Sequence, residues 1–539
     1  PNGMRNGGND VAVPPLDLFG FLRSPDFNAQ WFDPGVTYTP WAEDDGSSLP
    51  NSPITAARSD PRPNGSAGVP GPNPVRTFNF TALRSTTTDD EEFGFFYGMV
   101  LPAGTEVNVD QDCGGLGTTA ATRNVWITLA ADHTVTQAGG GFCEYNIRYF
   151  PAVVYRTVDK PAPTGFDETK RVTVANAGGN GVSLHKYELR AENFLNVDDY
   201  NKTIQNFANW YTYYGNRTRA TIAGMTRALD NVYFMRAGYF RINDTNPTVT
   251  MRDLAEGSTT RRDFYDQIIT LPAGGGTPNR SATGRMIDQF NRTDANAPVQ
   301  VACQINAGML FTDGFTNESG GPNVGNVDGD DGAPFADTHS NTLADIARRG
   351  YENRLRSGDM PAGLVQVREE CDGGNPSPTL NCNRNLHMNF HGVVLSLEGD
   401  EWKRPTPPAL PRDAFATPYP VWTATGTTNQ QPSNIDDIWH AAVNSYGTFT
   451  SARNPLDVTR AMQDVVNSVL DATEPVGTPP VAGPRVGADS ATYSTGFNVR
   501  NNGRDWIGNV EAFRINADGS TGARLWSAES MLPAANARK

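Results

Sequence analysis

The sequence predicts an α/β chain: a doubly wound, mostly parallel sheet with helices on both faces. A large β-rich region precedes it, and the first strands of an all-β domain follow it. Three observations carry this reading. From Asp198 to Ala472 helical and strand-like patterns alternate, as in open parallel sheets. From Asn79 to Val174, β-branched and aromatic runs are broken by Gly and Asp turns. Beyond the Pro/Gly linker "TEPVGTPPVAGP" (Thr473–Pro484), strand-like runs alternate with Asn/Gly turns. The expected organisation is an irregular and β-rich region over 1–195 and the doubly wound domain over 196–472. A linker over 473–489 then leads to the start of the all-β domain over 490–539.

Each element has a local cause. Residues 1–75 are irregular, and "DPRPNGSAGVPGPNP" (Asp60–Pro74) is a loop by composition. "FGFFYGMVL", "RNVWITLAA" and "EYNIRYFPAVVYRTV" are strands. From Asp198 to Val232 a helical stripe runs through Ile204, Phe207, Ala208, Tyr211 and Tyr214, then Ile222, Met225 and Leu229. A strand is expected at Tyr239–Asn243, then helices at Arg261–Ile269 and Ser281–Phe290, and a strand at Ala307–Phe311. After a Gly/Asp loop comes "THSNTLADIARRGYENRLR", a helix with Ser340 or Asn341 as its cap. The strand His387–Leu397, the helix "NIDDIWHAAVNSY" capped by Asn434, the strand "GTFTSA" and a helix starting near Pro455 complete the alternation.

Composition excludes several function classes. The chain has 539 residues, 37% of them hydrophobic, with 54 Gly and 39 Pro, which describes a loop-rich globular protein with a sizeable core. A net charge of −15 without a Lys/Arg cluster argues against a nucleic-acid partner. No apolar run approaches the ~18–20 residues of a membrane span. The opening "PNGMRNGGND" shows no signal peptide and reads as the middle of a longer sequence, so a missing N-terminal piece is expected. Of the five cysteines, Cys113 with Cys143 and Cys371 with Cys382 are the expected disulfides, leaving Cys303 over; five reduced thiols are the alternative. Loops of about 31 and 12 residues would contribute on the order of 3–4 and ~3 kcal/mol.

Two loops at strand ends carry the chemistry. In "LPAGGGTPNRSATGRM", glycines allow a tight turn and Thr277 projects a hydroxyl at a helix start. In "MLFTDG", Asp313 leaves a buried strand where doubly wound sheets bind ligands. Hydroxyl and carboxylate oxygens together suit a hard divalent cation, Mg²⁺ or Ca²⁺, that keeps positions open. Taken singly, Thr277 is an ordinary N-cap and Asp313 an Asx-turn residue.

Other candidates rank below this pair. "NVDGDDGAPFAD" offers Asp328, Asp330, Asp331 and Asp337 as an irregular calcium loop, though without the EF-hand pattern; a solvated acidic loop is the plainer reading. His387 and His391 read as flanking a core strand, with no nearby Cys or carboxylate to complete a zinc set. Arg217, Arg219 and Trp210 serve equally for a partner or for helix packing. No nucleophile elbow, Walker loop or H-E-x-x-H occurs.

The series "GGGTP", "LFTDG", "NIDDIWHAAVNSYGTF" and "NPLDVTRAMQDVV" resembles a von Willebrand factor A domain. With "FDPGVTYTPW", "QNFANWYTYYGNRTR", "SNTLADIARRGYENRLR" and "DWIGNVEAF…LWSA", the chain as a whole resembles the N-terminal half of a PilC/PilY-type adhesin of the type IV pilus tip. The resemblance implies an A domain with a metal-ion-dependent adhesion site, followed by a β-propeller of which "DWIGNVEAF" is the first strand. Thr277 then matches the threonine of the second metal loop and Asp313 the aspartate of the third. The first loop, D-x-S-x-S, is not found; "DDGSS" at Asp44–Ser48 has the letters but not the spacing.

The implied function is a secreted, cell-surface pilus-tip adhesin and assembly factor, not an enzyme. Its implied partners are minor pilins and a host-cell or surface ligand, with no nucleic acid and no membrane span. Two alternatives stand beside it: a structural tip cap without free ligand, and a quinoprotein-like enzyme.

Overall fold

The computed structural model describes the chain except residues 1–2, 7–8, 63–74, 87–93, 139–140, 231, 234, 273, 313, 374–375, 396, 406–410, 474–490, 501–504, 516–520 and 528–539. The predicted linker therefore lies almost wholly outside the described residues.

Among the described residues, seven α-helices follow the sequence patterns: α1 (Val197–Tyr214), α2 (Arg217–Ala228), α3 (Thr259–Ile269), α4 (Asn279–Phe290), α5 (Leu343–Glu352), α6 (Ser433–Asn444) and α7 (Pro455–Thr473). The stripe from Asp198 to Val232 is two helices rather than one. Asn216 breaks it, its side chain accepting the Arg219 N–H and starting α2. Helix α5 is shorter than predicted and is capped by Thr342 rather than Ser340 or Asn341. Thr342 and Asp345 form a reciprocal capping box. The expected strand at Tyr239–Asn243 does not form. Arg241 is drawn into a turn by Asp244, and Tyr239 donates its hydroxyl to the Gln267 carbonyl at 2.9 Å.

Three strands build the central sheet: β1 (Ala307–Thr312), β2 (Asn389–Leu395) and β3 (Phe449–Ala452). They lie in the order β1-β2-β3, all parallel, with Ala307 opposite Asn389 and Gly392 opposite Phe449. Alternation sends Leu310, Phe390 and Val394 to one face, against Leu343 and Ala347 of α5 and Ile435, Ile438 and Ala441 of α6. Met309, Phe311 and Leu395 take the other face, with Ala228 of α2 and Val458 and Met462 of α7. Helices thus cover both faces, as the alternation predicts. Gly392 sets the spacing, because a Cβ there would lie 2.4 Å from Ile438 Cγ2.

The preceding region is antiparallel and packs on α1. Phe32, Tyr38 and Trp41 join Phe207, Trp210, Tyr213 and Tyr214 in one aromatic core. Buried ring donors find carbonyls there: Trp41 Nε1 donates to Tyr213 O at 2.8 Å and the Tyr214 hydroxyl to Thr39 O at 2.6 Å. This core joins residues from both sides of position 195. At the other end, Ala491–Arg500, Asp505–Ile515 and Thr521–Ser527 form a three-stranded antiparallel sheet. Among the described residues no helix is long and apolar enough to cross a membrane.

Both expected disulfides are present, Cys113–Cys143 and Cys371–Cys382, and Cys303 is free and exposed.

Candidate functional site

Three loops meet at the carboxyl end of β1. The first, before α4, turns on Gly274 and Gly275, whose φ values of 134° and 101° only glycine adopts readily. Asn243 holds this turn by donating to the Gly276 carbonyl at 2.8 Å. The second loop leaves β1 through Gly314 and carries Asn317 and Glu318. Thr277 and Asn317 stitch the two together: the Thr277 N–H donates to Asn317 Oδ1, and the Asn317 N–H returns to the Thr277 carbonyl at 3.0 Å. The Thr277 hydroxyl lies 3.7 Å from where a Cβ on Gly314 would stand. Among the described residues it has no hydrogen-bond partner.

Glu318 fixes the start of α4. One carboxylate oxygen accepts the Arg280 N–H at 2.9 Å and Nε at 3.1 Å, and the other accepts the N–H and hydroxyl of Ser281. A carboxylate at a helix N-terminus satisfies orphan donors and opposes the helix dipole. Arg280, 1% exposed, then reaches the third loop through Thr425 O at 3.2 Å and Asn429 Oδ1 at 3.0 Å. Asn429 donates back to Glu318 O, and Gln430 N to Thr316 O. The result is a rigid platform in which Thr277 sits beside the strand-end loop.

The sequence pairs Thr277 with Asp313. The structure brings Thr277 to the loop that holds Asp313, while Asp313 itself lies outside the described residues. The second candidate set is only partly gathered, Asp328 lying with Asp337. Asp330 is exposed, Asp331 pairs with Arg348 at 2.9 Å, and Asp328 is fully buried and turned towards α6. His387 is buried just before β2 and His391 is buried within it. His387 bonds Asn381 and packs edge-on to Tyr351; His391 bonds Thr448. Burial pushes the His391 imidazole down to about 4. Arg219 is committed to the carbonyls of Tyr211 and Thr212 at the α1–α2 junction, and Trp210 lies in the aromatic core.

Asn317, Glu318 and Asn429 escaped the sequence reading, since nothing in "GFTNESGG" or "TGTTNQQ" distinguishes them from ordinary loop residues. Asp437 escaped as well. It lies inside α6 yet accepts the Leu343 and Ala344 N–H groups at 3.0 Å each, and burial pushes its carboxyl up to about 7.

Three relatives give the chain a context. It is 28% identical over 379 residues to type IV pilus biogenesis factor PilY1 of Pseudomonas aeruginosa strain PAK, a match covering 61% of this chain and 32% of that protein. The PilY1 of strain PAO1 is 28% identical over 384 residues, with 61% and 32% covered. That of strain UCBPP-PA14 is 24% identical over 381 residues, with 61% and 31% covered. These relatives bear out the resemblance to the PilC/PilY type. The chain spans about a third of the length of the curated relatives it matches. No family model and no solved structure matches it.

Proposed function

We propose that this chain serves type IV pilus biogenesis as a secreted pilus-tip adhesin and assembly factor. Its α/β body is a von Willebrand factor A-like domain, and the three antiparallel strands after position 490 begin a propeller. The carboxyl end of β1 is the ligand-facing edge, and minor pilins are the assembly partners. The observation that carries this reading is the contact of Thr277 with the loop leaving β1. A metal-dependent adhesion site needs a hydroxyl and a carboxylate brought to one strand edge from separate loops.

The donor set fits a hard cation in part. Thr277 offers a hydroxyl without a partner among the described residues, and Asp313 would supply the carboxylate; the sequence has no D-x-S-x-S to add its serines. When bound, the cation would offer an open position to a ligand carboxylate. The chain's own part is to hold Thr277 by Asn317 and to fix α4 by Glu318. Binding through an open metal position requires no general base or nucleophile, in keeping with a non-enzymatic role.

The missing serines favour one second reading, a tip cap that docks without free ligand. Pilus display and surface adhesion, measured in cells carrying Thr277→Ala or Asp313→Ala, separate the two. Lost adhesion with normal display supports the adhesin; both unchanged supports the cap.

A further inference from the structure

We infer that Asp328, Asp337 and His440 form a buried site for one divalent transition-metal ion of the Zn²⁺ class, separate from the strand-edge site. One ligand atom from each of the three lies within 4.8 Å of the others. Two carboxylate oxygens and an imidazole nitrogen make a mixed O/N set. That set suits Zn²⁺ and its neighbours, whereas Ca²⁺ and Mg²⁺ prefer all-oxygen shells.

The surroundings of His440 are those of a metal ligand. Its Nε2–H donates to the Phe335 carbonyl at 2.5 Å, with Asp328 Oδ2 3.5 Å from the same nitrogen, which leaves Nδ1 as the unprotonated nitrogen. Nδ1 faces Asp337 Oδ2 at 3.7 Å, lone pair towards carboxylate, too far apart for a hydrogen bond. A backbone carbonyl on the far nitrogen is the usual device for orienting a ligating histidine. Trp422 stacks on the ring at 4.1 Å and 9°, and donates its own N–H to Pro334 O at 2.8 Å. The carboxylates are oriented too: Asp337 Oδ1 accepts the His339 N–H at 2.7 Å, and Asp328 Oδ1 accepts the Asp337 N–H at 3.3 Å.

A second, independent observation comes from Asn444, one helical turn beyond His440 and on the same face of α6. It is fully buried, its Nδ2 lies 2.5 Å from Asp328 Oδ2, and its Oδ1 has no hydrogen-bond partner. A buried amide oxygen left without a partner is costly. Amide oxygen and nitrogen exchange by rotation, so Asn444 can turn its oxygen towards a cation at Asp328, giving up its hydrogen bond to Oδ2.

Charge points the same way. The side chains of Asp328 and Asp337 are 0% and 5% exposed, and buried Asp345 reaches the same loop by accepting the Val327 N–H at 2.6 Å. Such a pocket holds either a metal ion or a shared proton. With the metal in place, the acidic loop is tied to α6 behind Phe335 and Trp422.

The proposal does not depend on the adhesin reading, and one experiment separates them. The purified chain is stripped with EDTA and titrated with Zn²⁺, followed by calorimetry and thermal unfolding. We expect uptake of about one equivalent, with the unfolding temperature rising by about 3 °C at hundredfold excess over Kd. Asp337→Asn and His440→Gln should lose this uptake, while Thr277→Ala keeps it. If a variant does not fold, the stripped wild-type chain still decides. No zinc uptake by it overturns the proposal in favour of the shared proton. Uptake confined to Ca²⁺ or Mg²⁺, or unchanged zinc uptake in folded His440→Gln, overturns it as well.

Discussion

Glu318 and Arg280 form an ion pair at 3.1 Å with 5% and 1% of their side chains exposed, and the same carboxylate caps α4. Both charges are otherwise hydrogen-bonded, so the pair tolerates burial only while intact. Glu318→Ala leaves Arg280 buried and uncompensated, which should cost about 3–5 kcal/mol. Glu318→Gln retains an acceptor and should cost less. Urea unfolding of the two variants measures the difference.

Arg261 is fully buried and gathers separate segments by their carbonyls. Nε donates to Asp44 O at 2.7 Å; the two terminal nitrogens reach Val232, Leu254, Leu229 and Asp230. A lysine ammonium cannot reproduce this planar fork. Arg261→Lys should lose about 2–4 kcal/mol as several carbonyls go unpaired. A chemical denaturation midpoint unchanged from wild type would count against this role.

His391 gives a pH signature. Its Nδ1 accepts the Thr448 N–H at 3.1 Å, and burial holds the imidazole at about 4, below the ordinary value of 6.5. Between those values the unfolded chain takes up a proton that the folded chain refuses. Stability from this group is therefore complete above pH 6.5 and falls as pH drops towards 4. His391→Asn preserves an acceptor without titrating. Wild type should lose about 2–3 kcal/mol more than this variant between pH 7 and pH 4.5. Parallel pH curves would contradict it.

The Cys371–Cys382 bridge closes a loop with a sequence separation of 11. In the chain-entropy model its removal as a Cys371→Ser/Cys382→Ser pair should cost about 3 kcal/mol. Mass spectrometry under non-reducing conditions checks the pairing, and unfolding checks the cost.

Much of this was legible because its causes are local. Periodicity gave α3, α4, α6 and α7, and the loop between Cys371 and Cys382 is short enough to suggest its own staple. The approach of Thr277 to the loop leaving β1 was readable because strand order alone brings the two loops together. What was not legible depends on tertiary contact. Asn216 splits one apolar stripe into two helices by a cap that periodicity does not see. Asp337 and His440 stand about a hundred residues apart in sequence, one in an acidic loop and the other within a core-like helix; only the packing of that loop on α6 unites them. Asp437 looks like a solvent-facing helix residue until α5 arrives to be capped by it.

The central claim is that the carboxyl end of β1 binds ligand through a cation held by Thr277 and Asp313. Its most direct test is surface adhesion by piliated cells with and without EDTA, comparing wild type with Asp313→Ala at equal pilus display. The account predicts that EDTA removes wild-type adhesion, that Mg²⁺ or Ca²⁺ restores it, and that Asp313→Ala adheres as weakly as chelated wild type in either condition. Adhesion by Asp313→Ala equal to wild type, and indifferent to EDTA, would contradict it.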